Sequence, residues 1–237
     1  LFFYFAAPFQ AIGGTSSTGV YIAATFVNAI AAAGVVACAR IFARRTHAAA
    51  ALLVVLAWFA AFGSVACSPW APFLVVMPLF AFLVNAAMIA RGKAGASYPA
   101  MIYGTFAAQT HVAALPVVVV ATLVAVVSFF VGLRKRETTP ELSAEKWRLG
   151  IASALGVILA VPPIVEQIIA PTGNFRRIVA FFLHREAPLV PLGTAVQQWM
   201  TMMAWLPYRL GRLTLLREEF VPELARTRSV RRQSIQP

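Results

Sequence analysis

The stretch from Ala94 to Leu133 carries no formal charge, yet basic clusters bracket it: Arg91 and Lys93 before it, Arg134-Lys135-Arg136 after it. Wound as one helix it would be about 60 Å long, roughly twice the hydrocarbon thickness of a bilayer. Basic clusters that flank apolar spans lie on the cytoplasmic side. The stretch must therefore cross an even number of times, out and back. Its polar centre, Gln109-Thr110-His111 followed by Pro116, puts the outer turn there, between two short or tilted spans over 97–110 and 113–133. Gln109 and His111 are then expected on the non-cytoplasmic side.

Composition agrees with a membrane chain. Hydrophobic residues make up 60% of the 237 and charged residues 12%, with a mean hydropathy of +0.79. Soluble domains carry about 25% charged residues, so an ordinary soluble enzyme and an extended disordered protein are both excluded. Asp is absent and all eight acids are Glu, none of them before Glu137. A net charge of +12 with a pI near 11.0 invites a nucleic-acid reading. The basic residues instead sit in short clusters between apolar runs, so the expected partners are membrane lipids and no nucleic acid. Cys38 and Cys67 form neither a disulfide framework nor a metal pattern, and no metal site is evident.

Further spans are expected over 20–39, 48–66, 71–90 and 149–165. This gives an all-α, polytopic integral membrane helical bundle of six to seven membrane segments plus interfacial helices. With the Arg40–His47 loop inside, the Gly13–Gly19 loop and Cys67–Trp70 lie outside. Arg134–Arg148 reads as a cytoplasmic loop carrying Glu137, Glu141 and Glu145. The run Leu149–Val165 returns to the outside and meets Pro162-Pro163, with Glu166-Gln167 just beyond. Thr172-Gly173-Asn174 reads as a helix start, with the helix running to Leu183. Residues 184–207 fit either an interfacial helix or a seventh membrane helix, and 208–237 form a basic tail. Trp70, Trp147, Trp199 and Trp205 fall near predicted interfaces, as an aromatic belt would place them.

The commonest catalytic motifs are missing, including phosphate loops, HExxH and the GxSxG elbow. The catalytic candidates are His111, whose imidazole can bond a phosphate oxygen or relay a proton, and Glu166, an ionisable group at the edge of an apolar run. Each has a plain alternative: His111 as a turn residue bonded to backbone, Glu166 as a helix end paired with Arg176 or Arg177. Gln109, Gln167, Asn174, Arg176 and Arg177 are the binding candidates, the two arginines as a forked anion clamp. Their alternative is ordinary headgroup contact. His47 and His184 read as interfacial. Glu166, Gln167 and His111 are expected to share one membrane face and border one cavity.

The segments Leu1–Phe9 with Gly13-Gly14 and Gly19-Val20-Tyr21, Val27-Asn28-Ala29, Ser68–Pro72 with Met77-Pro78-Leu79, Phe106–Val112, Pro162–Gln167 and Gly173-Asn174-Phe175 follow one another in a pattern. Together, over Leu1 to Leu183, they resemble a group of bacterial polytopic proteins similar to GT-C-type glycosyltransferases that use polyprenyl-phosphate sugars. The resemblance implies a bacterial inner (plasma) membrane location in the cell envelope, a lipid-linked sugar donor, and action at the non-cytoplasmic face. It also implies an interfacial helix over 1–12, and a preceding membrane helix and outer loop bearing the catalytic acid. The segment alone is then expected to be inert. The alternatives are a carrier or flippase for a lipid or small solute, and a non-catalytic membrane scaffold.

Overall fold

Proline marks the starts of five of the helices. The computed structural model describes residues 2–13, 17–134, 140–169, 173–183 and 191–197. Among these it is helical without strands: α1 (Phe2–Gly13), α2 (Thr18–Phe42), α3 (Arg45–Ala66), α4 (Ala71–Leu74), α5 (Val76–Ala90), a 3-10 turn (Ala94–Ala96), α6 (Ser97–Thr110), α7 (Ala114–Arg134), α8 (Pro140–Ile169) and α9 (Asn174–Leu183). Pro72, Pro78, Pro99, Pro116 and Pro140 each fall in the first three residues of a helix, where a missing N–H costs nothing. Five helices are long and apolar enough to cross a membrane: Thr18–Phe42, Arg45–Ala66, Ala71–Ala90, Ala114–Leu133 and Ser143–Glu166. At 14 residues, α6 is about 21 Å long and falls short of that group.

Four apolar clusters fix the directions of α2, α5, α6, α7 and α8. At one level, Phe82, Ala86 and Ile89 of α5 meet Ala100 of α6, Phe129 and Leu133 of α7 and Leu149 of α8. At the opposite level, Val75 meets Ala107 and Ala114. Thus α5 and α7 run one way while α6 and α8 run the other. On α2, Ala23, Ala24 and Val27 pack with Leu74 and Phe106, and Ala31, Ala32 and Val35 with Met77 and Ala81, so α2 runs with α5. The Arg40–Arg45 loop, Arg91, Lys93 and the start of α8 therefore gather at one end of the bundle. The His111 turn lies at the other. The uncharged run is broken there, with His111 extended at φ −145°, ψ 119°.

Close packing rests on small residues, as expected where lipid removes most of the hydrophobic drive between helices. The buried stripe of α2 is largely alanine. Gly34 lies against the Tyr103 hydroxyl, and a Cβ there would collide with it. The α5 helix closes in a Schellman turn: Gly92, at φ 83°, sends its N–H to Ile89 O, and the Lys93 N–H reaches Met88 O.

Several boundaries differ from the sequence reading. The span over 71–90 stands as one crossing-length run, although α4 and α5 are separated at Val75, itself helical at φ −79°, ψ −18°. α3 kinks at Phe62, where φ is −130° and ψ 28°. α8 begins at Pro140 and not at 149, so Glu145 is helical and not part of a loop. Its Oε2 accepts the Ala94 N–H at 2.9 Å, and its Oε1 faces Arg148 at 3.3 Å. α8 also continues through Pro162 and Pro163 to Ile169. Glu166 is therefore not a helix end. Of 184–207, only 191–197 are described, with a short helix at 192–197. His184, Trp199, Trp205 and the tail 208–237 lie outside the described residues, as do residues 14–16 of the first loop.

Candidate functional site

Pro163 creates the local chemistry. Lacking an N–H, it cannot serve the carbonyl four residues earlier, which belongs to Leu159. In an apolar setting an unpaired carbonyl is costly. Gln109 of α6 supplies the missing donor, its Nε2 reaching Leu159 O at 2.8 Å. Glu145 ties the start of α8 to the 3-10 turn that leads into α6. The two bridges lie 15 residues apart on the α6 side (94 to 109) and 14 apart on α8 (145 to 159), so the helices run parallel and in register. Glu166 then lies seven residues past Leu159, about 10 Å beyond it along α8. The end of α6, Glu166 and the start of α9 thus share one end of the bundle, opposite the basic loops.

The helix stops at His111 in an orderly way. The His111 N–H still reaches Ala107 O at 3.0 Å, and its carbonyl accepts from Ala114 at 2.9 Å to open the next helix. His111 is half-buried and Glu166 is exposed. Arg176 and Arg177 are exposed on α9. Gln167 lies in α8 and Asn174 opens α9, while the side chains of both lie outside the described set.

A cavity of about 290 Å³ opens beside this end, between α5, α6, α7 and α8. Gln109 and Pro163 line it, together with Met101, Thr105, Leu115 and Thr122. Neither His111 nor Glu166 lines this cavity, whereas the binding candidate Gln109 does. Thr105 and Thr122 were not read from the sequence as site residues. The available signal was the spacing Met101, Thr105, Ala108 and Gln109, one face of a helix at i, i+4, i+7 and i+8. Among the described residues no three His, Cys, Asp or Glu side chains converge on a metal-sized site.

The described residues form an all-helical fold in which five helices are long and apolar enough to cross a membrane, with a polar helix end set beside a cavity. No family model, no curated protein and no solved structure matches the chain.

Proposed function

We propose that the protein is a bacterial inner-membrane, glycosyltransferase-like protein that engages a lipid-linked sugar at the non-cytoplasmic face, where α6 stops. In this reading α2, α3, α4–α5, α6, α7 and α8 make six crossings, with the basic loops in the cytoplasm. One observation supports it: the end of α6, Glu166 and the start of α9, which carries Arg176 and Arg177, lie toward the end of the bundle opposite those loops. An acceptor hydroxyl attacks the anomeric carbon, the bond from that carbon to the lipid phosphate breaks, and the hydroxyl proton passes to a carboxylate base. Arg176, Arg177 and His111 hold the departing phosphate. Glu166 positions the acceptor.

The test is sugar transfer in vesicles containing the whole protein and a radiolabelled polyprenyl-phosphate sugar. Replacing Arg176 and Arg177 by Ala should raise the KM for the donor, and His111→Gln should lower kcat, with insertion unchanged. A protein that transfers no sugar overturns the reading. The lateral cavity favours a second one, lipid transport, and movement of the intact lipid between leaflets without transfer would establish it.

A further inference from the structure

Helical hydroxyls in an apolar interior normally donate back to their own helix. Here Thr25 bonds Tyr21 O, Ser97 bonds Ala94 O and Ser153 bonds Leu149 O. Among the described residues the hydroxyls of Ser64, Thr105, Thr110, Thr122 and Ser128 make no such bond, and of these residues Thr105 and Thr122 line the cavity. Two hydroxyl-bearing residues without a backbone partner thus stand in a wall that is otherwise almost wholly apolar.

The cavity is also open sideways. α7 and α8 each pack against α6 but form no extensive interface with each other. The crevice between them is floored by the small side of α6, where Gly104 and Ala108 stand. Its flanks carry exposed apolar residues, including Leu115 on α7 and Ile164 on α8. In a membrane this mouth faces lipid. A space of about 290 Å³ accepts about ten water-sized groups, which suits a segment of one hydrocarbon chain. Thr105 lies five residues below the end of α6, about 7.5 Å into the apolar layer. In a glycerolipid the ester carbonyls lie at this depth, just beneath the phosphate.

We infer that the crevice between α7 and α8 seats one ester-linked acyl chain of a membrane glycerolipid, with the Thr105 hydroxyl donating to its ester carbonyl. A polyprenyl chain has no acceptor to offer Thr105, so this lipid is distinct from the sugar donor. The phosphate lies toward Gln109, and the chain runs down past Met101 and Thr122.

The whole protein in vesicles is labelled with three photoactivatable lipids: an ester-linked phosphatidylglycerol, its ether-linked analogue, and a polyprenyl phosphate. The labelled peptides are identified by mass spectrometry. The ester probe should label α6 and α7 about five-fold more than the ether probe, the expected effect of one hydrogen bond. Thr105→Val, which keeps the shape, should remove that preference. Thr122→Val should change labelling two-fold or less. Equal labelling by ester and ether probes, or stronger labelling by the polyprenyl probe, overturns the inference. So does a larger loss with Thr122→Val than with Thr105→Val, which would put the polar end of the ligand deep in the crevice. Crosslinking reads binding and not transfer: failure here leaves the proposed activity standing, and absence of transfer leaves this site standing.

Discussion

The two sides of α6 are built on opposite principles. Toward α2, Tyr103 donates to Ile30 O at 3.2 Å, its ring lies against Gly34, and Phe106 packs with Ala23, Ala24 and Val27. Toward α7 and α8, the helix faces a cavity, presents an unbonded Thr105, and makes its direct side-chain bond through Gln109 to a carbonyl that Pro163 abandoned. On the first side Gly34 leaves room for one bulky ring, and the fit is tight at that point. The second side packs along α8 and still leaves a cavity beside Gly104 and Ala108. In a chain with so few polar side chains, a filled face reads as scaffold, and one that keeps an unfilled space reads as a place for something else.

Four substitutions test that contrast. The largest effect is expected where the 3-10 turn before α6 is pinned to α8. Glu145→Leu strips the buried Ala94 N–H of its acceptor and should cost about 2.5 kcal/mol, read as a lower melting temperature in detergent. Glu145→Gln keeps an acceptor oxygen and should lose less. On the tight side, Gly34→Ala drives a Cβ into the Tyr103 hydroxyl and should cost about 2 kcal/mol. Adding Tyr103→Phe should recover part of the loss, and a harmless Gly34→Ala would show that this side is no tighter than the other.

On the loose side, Gln109→Leu should cost about 1 kcal/mol, the scale of hydrogen bonds between membrane helices. In a Pro163→Ala background the Leu159 carbonyl regains its own helical donor, and the same substitution should become nearly neutral. An unchanged cost there would mean that Gln109 acts through packing and not through the orphaned carbonyl. The smallest effect belongs to Thr105→Val, which removes no bond among the described residues and should shift stability by less than about 0.5 kcal/mol. A large loss would turn this face, too, into scaffold.

The break at His111 was legible in the sequence because it follows from length and charge: a run twice the bilayer thickness between two basic clusters has to fold back. The extent of α8 was not legible, and the reason is tertiary. Pro162-Pro163 ends an isolated helix by leaving the Ile158 and Leu159 carbonyls without their helical donors, but here Gln109, 50 residues before Leu159 in sequence, provides one for Leu159. Glu145 read as a solvated loop residue because hydropathy begins at Leu149. Only the partner amide on Ala94 shows why the helix extends lower. Of the site candidates, Gln109 was found for its place at a turn, whereas its bond depends on a neighbouring helix. The cavity had no signal beyond the spacing of Thr105, because a void between helices is a property of their packing.

The shortness of α6 has a consequence for how the chain is made. Fourteen residues that include Ser97, Gly104, Thr105, Gln109 and Thr110 are too few and too polar to partition into a bilayer as an independent segment during synthesis. The strongly apolar α7 follows after the three residues His111, Val112 and Ala113. In the proposed six-crossing topology the unit that leaves the insertion machinery is thus the α6–α7 hairpin, with α7 carrying its weaker partner across. Until α8 emerges, the Gln109 amide has no Leu159 carbonyl to meet, so α8 completes an element translated well before it. Truncation before Pro140 should leave α6 exposed to quality-control proteases, even though every residue of α6 is present.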